Sequence, residues 1–293
     1  MVGRRAYPGP QPHPEPAPIA RDSFHWHEWS AELAGTALLL IGGLSAVTLD
    51  FGAHSPVAPL LPSHSMRLLL TGALFAGTGA LIAVSPLGRI SGAHLNPAVS
   101  LAFWLSRKMH DHDVAAYILA QCIGGLLGAG VVRFVWSDSA SVGFGVTRPG
   151  PGILPIGAAV IEAVMTAILV LTILLFVSRM RTARWTPLAV WVVVTLLVWQ
   201  GAPLTGTSLN PARSVGPALV AMNIQNLWVY LVGPPIGAMT AALLVMTRTQ
   251  LRPVTAKLFH DPAYRSIFMH DAASDASLPR LRDWTTTRKR PPG

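Results

Sequence analysis

Asn96 and Asn210 each stand directly before a Pro-Ala pair, and the stretches around them are copies of one another. The first reads Ser91-Gly92-Ala93-His94-Leu95-Asn96-Pro97-Ala98-Val99-Ser100, the second Thr205-Gly206-Thr207-Ser208-Leu209-Asn210-Pro211-Ala212-Arg213-Ser214. Six of the ten paired positions are identical, at an offset of 114 residues. Asn before Pro is how a helix starts: Asn accepts from the free N–H groups, and Pro occupies the first helical position, where no N–H is needed. The chemistry on offer makes and breaks no bond. Amide donors and a helix N-terminus carrying partial positive charge can hold the oxygen of an uncharged molecule and repel a cation. Arg213, within the first turn of the second helix, adds fixed guanidinium donors. The competing reading of Arg213 is an arginine that snorkels to the membrane surface.

The elements that must position these groups are apolar. Of 293 residues, 51% are hydrophobic and 12% charged, against about 25% charged in a soluble domain. Membrane spans are expected at about 30–49, 66–85, 114–135, 155–177, 186–202 and 227–246, each near the roughly 20 residues that a bilayer requires. Between the second and third spans, and between the fifth and sixth, lie the two Asn-Pro-Ala helices. Their apolar pieces, 97–105 and 211–222, are long enough to cross only half a bilayer. Non-helical backbone at that depth is tolerated where it is buried in protein or lines a water-filled cavity, so a pore is the leading reading. The halves, about 30–136 and 155–248, match outside the motif as well, with Glu32 and Glu162 at equivalent places. Each has three spans, so the second lies upside down relative to the first, and the two half-helices meet near the midplane.

The ends of the chain differ in character. Residues 1–29 contain no apolar run and alternate proline with other residues from Pro8 to Pro18, which reads as a disordered, polyproline-type tail. The cluster Phe24-His25-Trp26-His27-Glu28-Trp29 reads as an aromatic belt at the bilayer edge; a metal site from His25, His27 and Glu28 is the alternative. Residues 249–293 read as a basic, solvated tail. The net charge of +9 sits in the tails and in alternate loops. That is the positive-inside pattern rather than a nucleic-acid surface, and it predicts a multi-pass plasma-membrane protein with both termini cytoplasmic. The single cysteine, Cys122, excludes an intramolecular disulfide and reads as packing.

Two Asn-Pro-Ala motifs in half-spanning loops of a six-span inverted repeat, the second followed by Arg213, resemble the aquaporin (major intrinsic protein) family over about residues 30–248. The resemblance implies an all-α membrane protein of six tilted transmembrane helices and two half-spanning helices in an inverted 3+3 repeat. It implies one pore per subunit in a homotetramer, with passive conduction of water or small neutral solutes through the lipid bilayer and exclusion of ions and protons. No cofactor, metal or nucleic acid is expected. Asn96, Pro97, Ala98, Asn210, Pro211 and Ala212 would form the pore motifs. The carbonyls of Gly92–Leu95 and Gly206–Leu209 would line the pore as acceptors. Glu32 and Glu162, costly acids inside apolar spans, would brace the two loops, and His94 would hold the first.

By the same resemblance the selectivity filter falls on Ala76, Val198, Thr207 and Arg213; a register shift of one would replace Ala76 by Phe75. Water-selective members carry a bulky aromatic at the first position and histidine at the second. Small residues there are more similar to the nodulin-like subgroup and its bacterial relatives. The expected cargo is glycerol, urea and uncharged metalloid acids such as arsenite or borate, together with water; a water-selective channel is the alternative. A secondary transporter would need coupling groups at the midplane beyond Glu32 and Glu162. An enzyme would need a cluster of catalytic side chains that the chain lacks. A non-conducting scaffold has no use for Asn96, Asn210 and Arg213.

Overall fold

The computed structural model describes residues 24–248 and 251–259. Among the described residues ten α-helices follow one another: α1 (Trp26–Phe51), α2 (His64–Val84), α3 (Pro86–Ser91), α4 (Pro97–Leu105), α5 (Asp111–Val135), α6 (Pro155–Val177), α7 (Met180–Ala183), α8 (Thr186–Thr205), α9 (Pro211–Val220) and α10 (Leu227–Met246). A 3-10 segment, Ser137–Gly145, lies between α5 and α6. Among the described residues, α1, α2, α5, α6, α8 and α10 are long and apolar enough to cross a membrane. They match the six expected spans. The first begins four residues earlier than expected, because the aromatic cluster is itself helical.

The half-helices α4 and α9 have nine and ten residues. At 1.5 Å per residue each is about 14–15 Å long, half of the roughly 30 Å hydrocarbon thickness. Each starts at its asparagine, in extended backbone, with proline in the first turn. The stretches before them are twins in conformation as well as in sequence. Gly92, Ala93 and Leu95 have positive φ, and so do Gly206, Thr207 and Leu209. For the non-glycine residues that conformation costs about 1–2 kcal/mol each, so something outside the loops must hold it.

Packing follows the repeat. α1 lies against α5, and α6 against α10. α5 also carries α9, and α10 carries α4, so each half-helix rests on a full-length helix of the other half. The closest approach of α5 to α9 needs glycine on both sides. A Cβ at Gly125 would meet the Ala212 carbonyl at 2.6 Å, and one at Gly216 would collide with the Gly125 backbone. With an odd number of spans per half, Phe24 and residue 248 share one face of the bundle, called here the terminal face. The loop from 52 to 63 and the 3-10 segment lie on the opposite face.

Residues 251–259 do not behave as a solvated tail. Thr255, Ala256, Lys257 and Leu258 are buried, and the segment straps across the loop before α4. The Leu258 N–H donates to the Gly92 carbonyl at 3.0 Å, and the Val254 N–H to the Val177 carbonyl at 2.9 Å. Lys257 Nζ donates to the Arg89 carbonyl. The proline-rich stretch before residue 24 and the basic stretch from 260 onward lie outside the described residues.

Candidate pore and filter

Asn96 and Asn210 meet tip to tip, each with its side chain divided between two tasks. Asn96 Oδ1 accepts from the Ala98 N–H at 2.9 Å, and Asn210 Oδ1 from those of Ala212 at 3.0 Å and Arg213 at 3.3 Å. Each Nδ2 crosses to the other repeat: Asn96 donates to the Leu209 carbonyl and Asn210 to the Leu95 carbonyl, both at 2.8 Å. A primary amide has two N–H donors, so the crossed pair fixes both side chains and leaves one donor on each. The same bonds correct one expectation. Of the carbonyls read as pore acceptors, those of Leu95 and Leu209 are engaged by the asparagines, and that of Gly92 by Leu258.

The two buried acids lie behind these loops. Glu32 accepts from the N–H groups of His94 at 2.9 Å and Leu95 at 2.7 Å, and from Gln121 Nε2 at 2.7 Å. Glu162 accepts from the N–H groups of Ser208 at 2.8 Å and Leu209 at 2.9 Å, and from the Thr205 hydroxyl at 2.7 Å. The carboxylates therefore bind the donors that the left-handed residues turn away from the helix. His94 Nδ1 lies 3.1 Å from Ser100 Oγ, and its Nε2 lies 2.7 Å from the Ala256 carbonyl. A neutral imidazole, with one donor and one acceptor nitrogen, satisfies both contacts.

Sequence reasoning missed the outer partners of these loops. Tyr117 on α5 donates to the Ser91 carbonyl at 2.8 Å, and Tyr230 on α10 donates to the Thr205 carbonyl at 2.7 Å. The two tyrosines are 113 residues apart, one short of the motif offset, so comparing the two halves position by position would have exposed them. Ser214 and Thr147 form a second missed group, with Ser214 Oγ at 2.6 Å from Ser208 Oγ and 2.8 Å from Thr147 Oγ1.

A cavity opens from the opposite face down to the second loop. Phe51, Thr71, Phe75, Val198, Thr207 and Arg213 are among its lining residues. Arg213 is 7% exposed and donates through Nη1 to the Gly145 carbonyl at 2.7 Å. It therefore sits in the cavity wall, held by the 3-10 segment, and does not snorkel. Its guanidinium carbon stands 5.6 Å from the centre of the Phe75 ring, within cation–π range. Thr207 Oγ1 donates to the Leu197 carbonyl at 3.3 Å.

Ala76 is not in this wall. It is buried at 5% exposure, about 100° around α2 from Phe75, whose ring occupies the lining. Gly43 makes that placement possible, because a Cβ there would collide with the Phe75 ring. The one-residue shift thus puts Phe75 where Ala76 was expected, while Val198, Thr207 and Arg213 line the cavity at their expected numbers. One further acid lies just beyond the expected first span. Asp50, fully buried, accepts from the hydroxyl of the cavity-lining Thr71.

Six spans, two half-helices meeting at their N-termini and a cavity leading to that junction define a membrane channel built as an inverted repeat. The family model described as "Major intrinsic protein" matches residues 19–245. "Aquaporin NIP1-1" of Zea mays is 34% identical over 235 residues, covering 77% of this chain and 77% of the relative. The "Lens fiber major intrinsic protein" of Gallus gallus is 34% identical over 226 residues, covering 76% of this chain and 82% of the relative. Among solved structures, the aquaglyceroporin from Plasmodium falciparum shares the fold with a TM-score of 0.62 at 22% identity, covering 75% of this chain and 95% of that one. The chain belongs to the major intrinsic protein family. Its members are passive channels, not enzymes, and this chain is an integral, multi-pass membrane channel for small solutes.

Proposed function

We propose that the pore conducts small uncharged solutes bearing hydroxyl or amide groups (glycerol, urea and neutral metalloid acids), with water, and excludes ions and protons. The observation that carries this reading is the mixed lining of the cavity, in which the Arg213 guanidinium stands beside the Phe75 ring and Val198. A polyol can set its hydroxyls on Arg213 and its carbon chain on the apolar residues. At Val198, where water-selective members carry histidine, there is no second polar group to demand water. The nodulin-type name of the maize relative agrees with this choice. Phe75 favours the second reading, a water-selective channel, since an aromatic ring narrows the aperture that Ala76 would have left open.

Cation exclusion rests on the charge of Arg213 and on two helix N-termini facing one point. A water held through its oxygen by Asn96 and Asn210 donates to its neighbours and does not relay a proton. The chain works as a homotetramer in the plasma membrane with both termini cytoplasmic, as the positive charge after α2, α6 and α10 supports. The substitution Val198→His tests the solute assignment: it should cut glycerol influx into proteoliposomes roughly tenfold while water permeability changes less, a loss of about 1.4 kcal/mol of barrier selectivity. Equal losses for both would remove Val198 from the filter.

A further inference from the structure

On the terminal face, far from the cavity, the start of α1 meets the start of α5. His25, the residue before α1, is 6% exposed, and its Nδ1 lies 2.8 Å from Asp113 Oδ1. Trp29, one turn on, donates through Nε1 to the same oxygen at 2.9 Å. Asp113 is completely buried. Its second oxygen, Oδ2, has no hydrogen-bond partner among the described residues, and His112 Nε2 stands 3.6 Å from it. A buried carboxylate oxygen without a donor is expensive, so this one calls for an explanation.

We propose that His25, His112 and Asp113 form a binding site for a divalent transition-metal ion of the zinc type. Ligand atoms from the three residues all lie within 4.8 Å of one another. Around a tetrahedral ion with bonds of about 2.0–2.2 Å, ligand atoms sit roughly 3.3–3.6 Å apart, so the three ligand atoms, already within 4.8 Å of one another, need to shift by about an ångström to close on an ion. The His112 ring, exposed on one side, lies beside the His25 ring with centres 5.6 Å apart, while His25 and Asp113 are held by burial. Two imidazoles and one carboxylate suit zinc, cobalt or nickel, and not calcium or magnesium, which take oxygen ligands. The ion satisfies the orphaned Oδ2, and the fourth position is left to solvent. Trp29 acts as the outer donor that orients the carboxylate. His110 stacks on His112 with ring centres 5.6 Å apart and planes 4° from parallel, which supports the ring that must close the site.

The site is not the one that the local sequence points to. His25, His27 and Glu28 are neighbours in the chain, but residues two apart on a helix point to different sides, and His27 is exposed. The partners come instead from α5, 87 and 88 residues away. Bound metal staples the entry of α1 to the entry of α5.

The experiment uses the full chain purified without a polyhistidine tag and stripped with chelator, then titrated with Zn²⁺ calorimetrically and with Co²⁺ by its visible absorption. One ion per chain is expected, with the intense bands of tetrahedral cobalt and a rise in unfolding temperature. His112→Ala should weaken binding at least about tenfold and leave water permeability unchanged; being an exposed position, it keeps the test valid if Asp113→Asn does not fold. His27→Ala should bind as the parent does. The proposal is overturned by failure of the parent chain to bind either ion, by retention of full affinity in His112→Ala, or by loss of affinity in His27→Ala.

Discussion

In the proposed function, ion exclusion depends on Arg213. Its burial and its bond to the Gly145 carbonyl fix one end of the guanidinium, and its charge then stands permanently in the cavity wall. Replacing it by valine should leave water flux within about twofold and admit monovalent cations or protons, since a rise of one decade in leak needs only about 1.4 kcal/mol of lost barrier; a pH-sensitive dye inside proteoliposomes reads this directly. The acids behind the loops make a different prediction. Glu32→Gln keeps the shape but replaces one acceptor oxygen by a donor, leaving a buried N–H of His94 or Leu95 without a partner. That costs about 1–3 kcal/mol, and Glu162→Gln should cost about the same, because its carboxylate binds the equivalent pair. Thermal unfolding in detergent should therefore show similar losses for both; a loss confined to one would mean that the repeats are not braced alike. At this scale the sequence was only partly legible. The asparagines and both glutamates could be read from the repeat, and Arg213 from its place beside the second motif, whereas Phe75 could not. Which side of α2 faces the cavity depends on rotation by a single residue, and that rotation is set by the absent side chain of Gly43, on another helix.

At the scale of elements, the half-helix loops hold a conformation that four non-glycine residues disfavour, and they hold it by contacts from outside. The strap at 251–259 is one of these; its apolar residues Leu251, Val254, Ala256, Leu258 and Phe259 set it apart from a solvated basic tail, and its burial follows from backbone groups that the loop before α4 leaves free. Truncation after residue 248 removes the Leu258–Gly92 and Ala256–His94 bonds and should lower the unfolding temperature by several degrees, while truncation after residue 259 should not. On the opposite face a second tie joins the loop after α1 to the 3-10 segment. His54 donates its N–H to Asp138 Oδ2 at 2.7 Å, and its ring nitrogen lies 2.8 Å from Oδ1. Asp138 raises the imidazole pKa above its ordinary value of 6.5, and His54 lowers the carboxyl pKa below its ordinary value of 3.8. The first effect is complete below 6.5 and fades as pH rises through the folded imidazole value. The second is complete above 3.8 and fades as pH falls through the folded carboxyl value. Hydrogen exchange at 53–55 should thus be slowest, after correction for intrinsic rates, between those limits, and a flat profile would show that the pair does not tie the loops.

For the whole molecule, the architecture is an inverted duplication in which each half supplies one half-helix and the other half supplies its seat. Span count, span positions and the half-helix lengths were legible because bilayer thickness sets them directly. The contacts that lock each half internally, Tyr117 with Ser91, Tyr230 with Thr205 and Asp113 with His25, were not, because they join residues far apart in the chain through helix faces that a uniformly apolar pattern leaves unmarked. The cavity is lined by residues of a single chain. In the proposed function this pore, walled by Phe75, Val198, Thr207 and Arg213, passes small uncharged solutes as well as water. Stopped-flow light scattering on proteoliposomes, comparing osmotic water flow with influx of glycerol and of boric acid in one preparation, tests it most directly. Solute influx well above that of empty liposomes, with moderate water flux, is expected. Fast water flow with solute influx no faster than in empty liposomes would contradict it and make the channel water-selective, with the Phe75 ring as the constriction.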